Sequence, residues 1–299
     1  MSAATAPGDV PLNRKKTPWR RVALHAFLLT AALIWLFPLV WALYTSLRPY
    51  SDTATNGYVS FTGVLNFDNY VNAWNDAEMI KYFVNTIIIV VPAVILTLFL
   101  ASMAAFTLAR FSWKFNLAML MLFTAGNLLP PQVIITPLYR MYLLIPFPKP
   151  LSDNGLLYDQ YVGIILIHVA FQLGFCTFVL ANYMKTLPKE LNEAALVDGA
   201  NTFQIYYKVI LPLVRPPLAA LAVLEVTWIY NDFFWALILM RTGDKLPITS
   251  ALNNLKGQFF TDNNLIAAGS VIVAIPTLIV FFAAQRQFIS GLSLGSTKG

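Results

Sequence analysis

Six apolar blocks, each 20 to 25 residues long, constrain this chain more than anything else in it: 22–45, 85–108, 117–139, 161–184, 216–240 and 265–284. Five of the six contain no Asp, Glu, Lys or Arg. A bilayer core about 30 Å thick needs roughly 20 helical residues at about 1.5 Å each. In lipid the backbone must satisfy itself, which leaves helices or a closed barrel. The blocks lack the in–out alternation of barrel strands. The expected fold is all-α, a polytopic membrane protein with six transmembrane helices. Composition points the same way: 58% of the 299 residues are apolar and 11% charged, where a soluble domain carries about 25% charge. A soluble enzyme, a disordered chain and a nucleic-acid binder are excluded. The net charge of +6 fits the basic loops of a membrane protein. Cys176 is the only cysteine, so no internal disulfide forms.

The expected domains are an N-terminal tail (1–21), a six-helix transmembrane unit (22–284) and a C-terminal tail (285–299). The basic approach to the first block (Arg14, Lys15, Lys16, Arg20, Arg21) resembles that of a signal peptide. The run is too long for one, and residues 42–46 are a poor cleavage site, so an uncleaved first helix is expected. Six crossings put both termini on one side. If that side holds 1–21, 109–116, 185–215 and 285–299, it carries 13 of the 20 basic residues and the other side 7. The positive-inside bias makes both termini cytoplasmic. Residues 109–116 then form a tight inner turn. The long outer loop 46–84 holds an ordered element around Asn66-Phe67-Asp68-Asn69-Tyr70 and Trp74.

The inner loop 185–215 is the most patterned stretch. Pro188 suits a first helical turn, and Glu190 and Glu193 favour the N-terminal end of a helix dipole. Leu187, Leu191, Ala194, Ala195 and Asp198 share one side at helical spacing. Gly199 is placed to end the helix with positive φ. Asn201 or Thr202 can cap a second helix from Phe203 to about Leu211, with Phe203, Tyr206, Tyr207 and Ile210 as its apolar face and Pro212 as its end. Two short helices at an angle, lying on the membrane surface, are expected. Braces for the bundle would have the same pattern.

The residues themselves are more specific. Glu193-Ala194-Ala195, then Asp198-Gly199-Ala200, then Leu211-Pro212 resemble the EAA motif of ABC-importer membrane subunits. Leu129-Pro130-Pro131-Gln132 with Pro137-Leu138-Tyr139, Trp228 with Asn231-Asp232-Phe233, and Gln285-Arg286-Gln287-Phe288 with Gly291-Leu292 look like the carbohydrate-uptake branch. That branch is the maltose-type permease family, and the likeness is to the shorter six-helix partner of its heterodimer, from about residue 20 onward. One departure is Leu173-Gly174-Phe175, where the family has Pro-Phe; the glycine would supply the bend.

The resemblance implies a type I ABC importer permease in the cytoplasmic membrane of a bacterium or archaeon. Its partners would be a second, related permease subunit, two cytoplasmic ATPase subunits and an extracytoplasmic sugar-binding protein. The ATPase would dock on Glu193, Ala194, Ala195, Asp198, Gly199, Ala200, Phe203, Tyr206, Leu211 and Pro212. ATP-driven closure would move this seat and rock the attached helices between inward- and outward-open states. The tail around Gly291 and Leu292 would reach between the ATPase subunits; a frayed terminus is the alternative. No GxxxxGK[ST] loop occurs, and Gly295-Ser-Thr-Lys298 lacks its spacing. The chain is therefore expected to bind no cofactor and to be no enzyme, with Mg-ATP used by the partner ATPase.

Polar residues inside the blocks are candidates for the substrate path. Glu225, Trp228 and Asp232 stand at i, i+3 and i+7, on one helical face. Acids within a span face protein or water, and an aromatic plane beside hydrogen-bonding groups suits a sugar. Asn231 and Asp232 could equally tie the fifth helix to a neighbour. His168 and Gln172 lie one turn apart and could touch substrate or serve packing. Asn127 precedes Pro130-Pro131, which should kink or unwind the third helix; broken helices often border transport sites. Pro92 and Pro276 are hinges or simple kinks. No cluster has metal-ligand spacing. An ion-coupled secondary transporter would want more intramembrane carboxylates, and an intramembrane hydrolase would want a catalytic set that His25 and His168, the only histidines, do not supply.

Overall fold

The computed structural model describes residues 18–61, 64–126, 130–256 and 261–293; for Pro18 and residues 286–293 it describes the backbone alone. The N-terminal tail to residue 17, Asn127 and the last six residues lie outside the described residues.

The described chain is helical, with one isolated bridge between Pro146 and Leu156 and no strand. Helix α1 spans Pro18–Ser46. Two short helices follow, α2 (Tyr50–Asn56) and α3 (Asp68–Asp76), the latter being the ordered element expected around Asn66–Tyr70. The second block is the middle of a longer helix, α4, Met79–Arg110. At about 1.5 Å per residue its 32 residues reach about 48 Å, beyond the hydrocarbon core at both ends.

The third block is not one helix. α5 (Asn116–Gly126) stops before the two prolines, and the chain resumes as a 3-10 turn over Pro131–Ile134 and α6 (Ile135–Leu144). The two pieces are bent by 88° beside the two prolines, which have no N–H to donate. α7 (Tyr161–Thr186) runs unbroken through Gly174. The inner loop forms α8 (Glu190–Val197) and α9 (Thr202–Leu213). The chain then bends by 74° into α10 (Arg215–Tyr230), which opens on Pro216 and Pro217 in its first turn.

The fifth block also breaks. α10 ends at Tyr230 after 16 residues, about 24 Å, and α11 (Phe234–Leu239) starts after Asn231-Asp232-Phe233. The last helix, α12, spans Asn263–Ser293 and continues through Pro276, as α4 does through Pro92. Among the described residues, four helices are long and apolar enough to cross a membrane, and six crossings result if each bent pair serves as one.

α4 and α7 pack along their length. Ala93, Ala101 and Ala105 of α4 are fully buried, as are Cys176, Leu180 and Ala181 of α7. Small side chains let two backbones approach closely, the main source of helix affinity in lipid. One cluster gathers one half of the bundle around Tyr82, Ile89, Ile164, Ile229 and Trp235. A second gathers the other half, next to α8 and α9, around Phe106, Met184, Tyr206, Ile210 and Leu221. Gly163 marks a close approach to neighbouring backbone. A Cβ there would stand 2.7 Å from the Leu157 carbonyl oxygen and 3.0 Å from the Tyr142 ring, whose hydroxyl donates to the Gly163 carbonyl at 2.8 Å. α1 is different: it is apolar on all sides and exposed, with Trp35 81% exposed.

Candidate functional site

Two sites emerge, one at each level of the bundle. The first is the α8–α9 elbow. α8 ends in a Schellman turn: the Gly199 N–H donates to the Leu196 carbonyl at 3.0 Å and the Ala200 N–H to the Ala195 carbonyl at 2.9 Å. Gly199 has φ +78, as its position in the sequence requires. Of the two capping candidates, Asn201 caps α9. Its side chain accepts from Gln204 N at 2.9 Å while Gln204 Oε1 accepts from Asn201 N at 2.8 Å, a complete capping box.

Beyond its first turn α9 winds as a π-helix over Ile205–Ile210, closed by the Leu211 N–H on the Tyr206 carbonyl. Pro212 follows one residue later with no N–H to give. The wider turn corrects the expected apolar face. Ile205, Tyr206 and Ile210 point inward, 4%, 5% and 0% exposed, while Phe203 and Tyr207 stack on each other outside, 6.4 Å apart. One residue of extra register moves position 207 off the face that 3.6 residues per turn would give it.

In α8 the inward side is Leu191 and Ala195, with Leu187 just before it; Ala194 and Asp198 are exposed, as are Glu193, Leu196 and Val197. Leu211 and Pro212 are half-buried. The elbow is joined to the bundle by Tyr206, whose hydroxyl meets Ser102 Oγ of α4 at 2.8 Å and whose ring meets Phe106. Its outward side is a set of apolar side chains on a rigid turn. Gly291 and Leu292 belong to the last turns of α12, and their side chains lie outside the described residues.

The second site lies where α10 breaks. His168, Gln172, Trp228 and Asp232 line one cavity of about 180 Å³ with Pro131, Phe171 and Trp235. His168 Nε2 stands 3.7 Å from Asp232 Oδ2. Asp232 Oδ1 accepts the Trp235 N–H at 3.4 Å, which starts α11. Trp228 is 42% exposed and edges against Phe175. Phe171 and Trp235, with ring centres 5.0 Å apart, add aromatic wall that the sequence reading missed. Each is three residues from a singled-out polar residue, His168 or Asp232, which was the available signal.

Two path candidates are placed elsewhere. Glu225 is wholly buried, with the Cys176 thiol donating to its Oε1 at 3.2 Å. It faces α7 and does not share the cavity with Trp228 and Asp232. Glu225 and Trp228 both lie within α10 but point about 60° apart around it, and α10 ends before Asp232, so the expected shared face is lost. Asn231 is exposed and folds back to donate to the Thr227 carbonyl at 2.8 Å. Asn127 is outside the described residues.

A cavity of about 180 Å³ is smaller than the roughly 300–1,000 Å³ of ordinary ligand pockets. It has the chemistry of a sugar contact, with aromatic faces and hydrogen-bonding groups together, but only part of the needed wall.

Comparison with known proteins brings the two sites together. The family described as "Binding-protein-dependent transport system inner membrane component" matches residues 97–293, which include both. A probable ABC transporter permease of Pyrococcus horikoshii is 33% identical over 265 residues, 87% of this chain and 91% of that protein. The diacetylchitobiose uptake system permease of Streptomyces coelicolor is 32% identical over 276 residues, 92% and 88%. Among solved structures, a chain of a bacterial ABC transporter involved in the import of the acidic polysaccharide alginate superposes with a TM-score of 0.76 over 93% of this chain and 100% of that one. At 22% identity that likeness is one of fold.

Proposed function

This chain belongs to the family of binding-protein-dependent transport system inner membrane components, and from that premise we propose that it is the sugar-conducting half of an ATP-driven importer. The observation that carries the mechanism is the elbow. A Schellman turn and a capping box hold two short helices at a fixed angle, with Leu196, Val197, Phe203 and Tyr207 facing outward. Apolar side chains exposed on a rigid turn are suited to seat in a partner's cleft.

The partner at that seat is a cytoplasmic ATPase subunit, one of two that dock on the paired permease loops. The ATPase subunits bind Mg-ATP, and this chain binds no cofactor and catalyses no reaction. Motion of the seat reaches the membrane through Tyr206 and Ser102 into α4, and through the bend at Val214 into α10. α10 ends at the His168–Asp232 cavity, so one rigid path joins the energy input to the candidate substrate contact.

A second, related permease subunit supplies the rest of the wall, which the small cavity lacks. An extracytoplasmic binding protein delivers the sugar. Both termini face the cytoplasm of a bacterium or archaeon, as the basic-residue bias supports. Trp228, Phe171 and Trp235 would stack on sugar faces while His168, Gln172 and Asp232 bond hydroxyls. A carboxylate in that set disfavours anionic sugars.

The test is reconstitution of the chain with its partners in vesicles. Uptake should require ATP and the binding protein, and the ATPase should co-purify with the chain. Uptake by the isolated chain driven by an ion gradient would overturn the reading.

A further inference from the structure

A further cavity lies beside the elbow. It holds about 500 Å³ between the α4–α5 turn and α8. Its walls divide by chemistry. Phe106, Leu117 and Leu196 form an apolar side, and Arg110, Lys185 and Lys189 a cationic one, with Glu193 the lone acid. Arg110 uses Nη1 to donate to the Leu187 carbonyl at 3.1 Å, with a longer contact to Pro188. Its Nε and Nη2 are out of water and meet no partner. Asn116 and Asn192, on opposite walls, each hold an unpartnered buried Oδ1. Buried donors without partners are costly, and a guanidinium prefers a planar pair of oxygens.

The turn beside the cavity fixes its depth in the membrane. Phe111, Trp113 and Phe115 are exposed there, 45%, 45% and 51%, and Lys114 lies over the Phe115 ring at 5.1 Å. Exposed aromatics with a lysine at the end of an apolar helix mark the headgroup level of a bilayer. The cavity therefore opens where phosphates lie, its apolar wall turned toward the acyl chains.

We propose that this cavity binds the headgroup phosphate of an anionic phospholipid, with Arg110, Lys185 and Lys189 as the cationic contacts and the apolar wall against the upper acyl chain. A side-chain shift at Arg110 brings Nε and Nη2 onto the phosphate oxygens. The lipid would then touch α8 along Asn192, Glu193 and Leu196, at the edge of the outward apolar set, and brace the elbow. This inference needs only a membrane location, not the ATPase reading, so the two fail separately.

The full chain, delipidated in detergent, is titrated with phosphatidylglycerol, phosphatidylcholine or inorganic phosphate, and bound species are weighed by native mass spectrometry. Phosphatidylglycerol should bind at least about tenfold more tightly than phosphatidylcholine. Arg110→Gln should lower that affinity about tenfold or more, as expected for losing a charged hydrogen-bond partner. Because Arg110 also holds the Leu187 carbonyl, the double variant Lys185→Gln/Lys189→Gln, at two exposed side chains, keeps the test independent of folding. It should weaken binding about tenfold or more with an unchanged melting temperature. Equal binding of the two lipids, or no loss in the double variant, overturns the proposal. Inorganic phosphate bound as tightly as phosphatidylglycerol overturns the lipid source. Loss of ATPase co-purification in the double variant with lipid binding unchanged makes the lysines a protein contact, which also overturns it.

Discussion

His168 Nε2 lies 3.7 Å from Asp232 Oδ2, so the middle of α7 is paired with the break between α10 and α11. The break leaves Asp232 off any helix, and one carboxylate serves two purposes. Oδ1 starts α11 through the Trp235 N–H, and Oδ2 faces the imidazole. The two can be separated. Asp232→Asn keeps an acceptor for Trp235 and removes the charge, while Asp232→Ala removes both. The alanine variant should lose about 1 kcal/mol of stability, the usual cost of a lost cap, and the asparagine variant less. Both should transport poorly. Thermal unfolding in detergent, paired with vesicle uptake, checks this; equal melting temperatures for the two variants would rule out the capping role.

Gly199 has open space around it, with nothing within 4 Å of a Cβ built there. Any cost of substitution therefore comes from φ +78 alone. Gly199→Ala should cost about 1–2 kcal/mol at the elbow and a β-branched valine more. Gly199→Asn should be milder, since Asn tolerates left-handed backbone. ATPase stimulation in reconstituted complexes should fall in the order Gly, Asn, Ala, Val. An alanine variant coupled as well as the parent would show that the turn geometry does not matter.

Just after α1, Arg48 is wholly buried and pairs with Asp52 at 2.8 Å. It also donates to the Gly57 and Tyr58 carbonyls and to Ser60. Its own carbonyl takes Asn69 at 2.7 Å and Asn264 at 2.8 Å, tying α1, α3 and α12 together. Arg48→Ala would leave Asp52 nearly buried without its cation and should cost about 3–5 kcal/mol. Asn264→Ala should cost less, about 1–3 kcal/mol. Melting temperatures should fall in that order, and an Arg48→Ala protein as stable as the parent would contradict the role.

Asp159 clasps the outer loop ahead of α7 to the segment after α11. Burial by itself would raise its pKa. The Thr242 hydroxyl (2.6 Å), the Thr242 N–H (3.0 Å), the Arg241 N–H (2.8 Å) and the Lys245 charge outweigh burial and hold the carboxyl below its usual value. A depressed pKa in the folded state stabilises fully above the unfolded value of about 4, and that stabilisation is lost as pH falls through the lower folded value. The melting temperature of the parent should therefore exceed that of Asp159→Asn at neutral pH, and the gap should close in acid. A gap that widens as the pH falls would reverse the sign. Asn also accepts the positive φ of 64 at this position.

Much of this was legible in the sequence because the signals are local. Asn201 and Gln204 are three residues apart, and Gly199 ends α8 for reasons contained within one helical turn. The prolines at 130 and 131 announced a break in the third block. By contrast, the break at Asn231–Phe233 has no proline, and it shows only in how α11 packs on α7 and α6. The π-helical winding of α9 was equally hidden, and with it the outward turn of Tyr207.

The sequence by itself determined that the chain is helical, lives in a bilayer and carries an ordered elbow on one side. Apolar length, backbone satisfaction in lipid and capping chemistry are properties of contiguous residues. Only the tertiary structure decided which polar groups meet. Cys176 and Glu225 are 49 residues apart, and Arg48 and Asn264 are 216 apart. A buried polar group takes whatever partner the packing of distant helices brings within about 3 Å. Spacing along one helix shows which way a side chain points, and the neighbouring helices settle what it finds there.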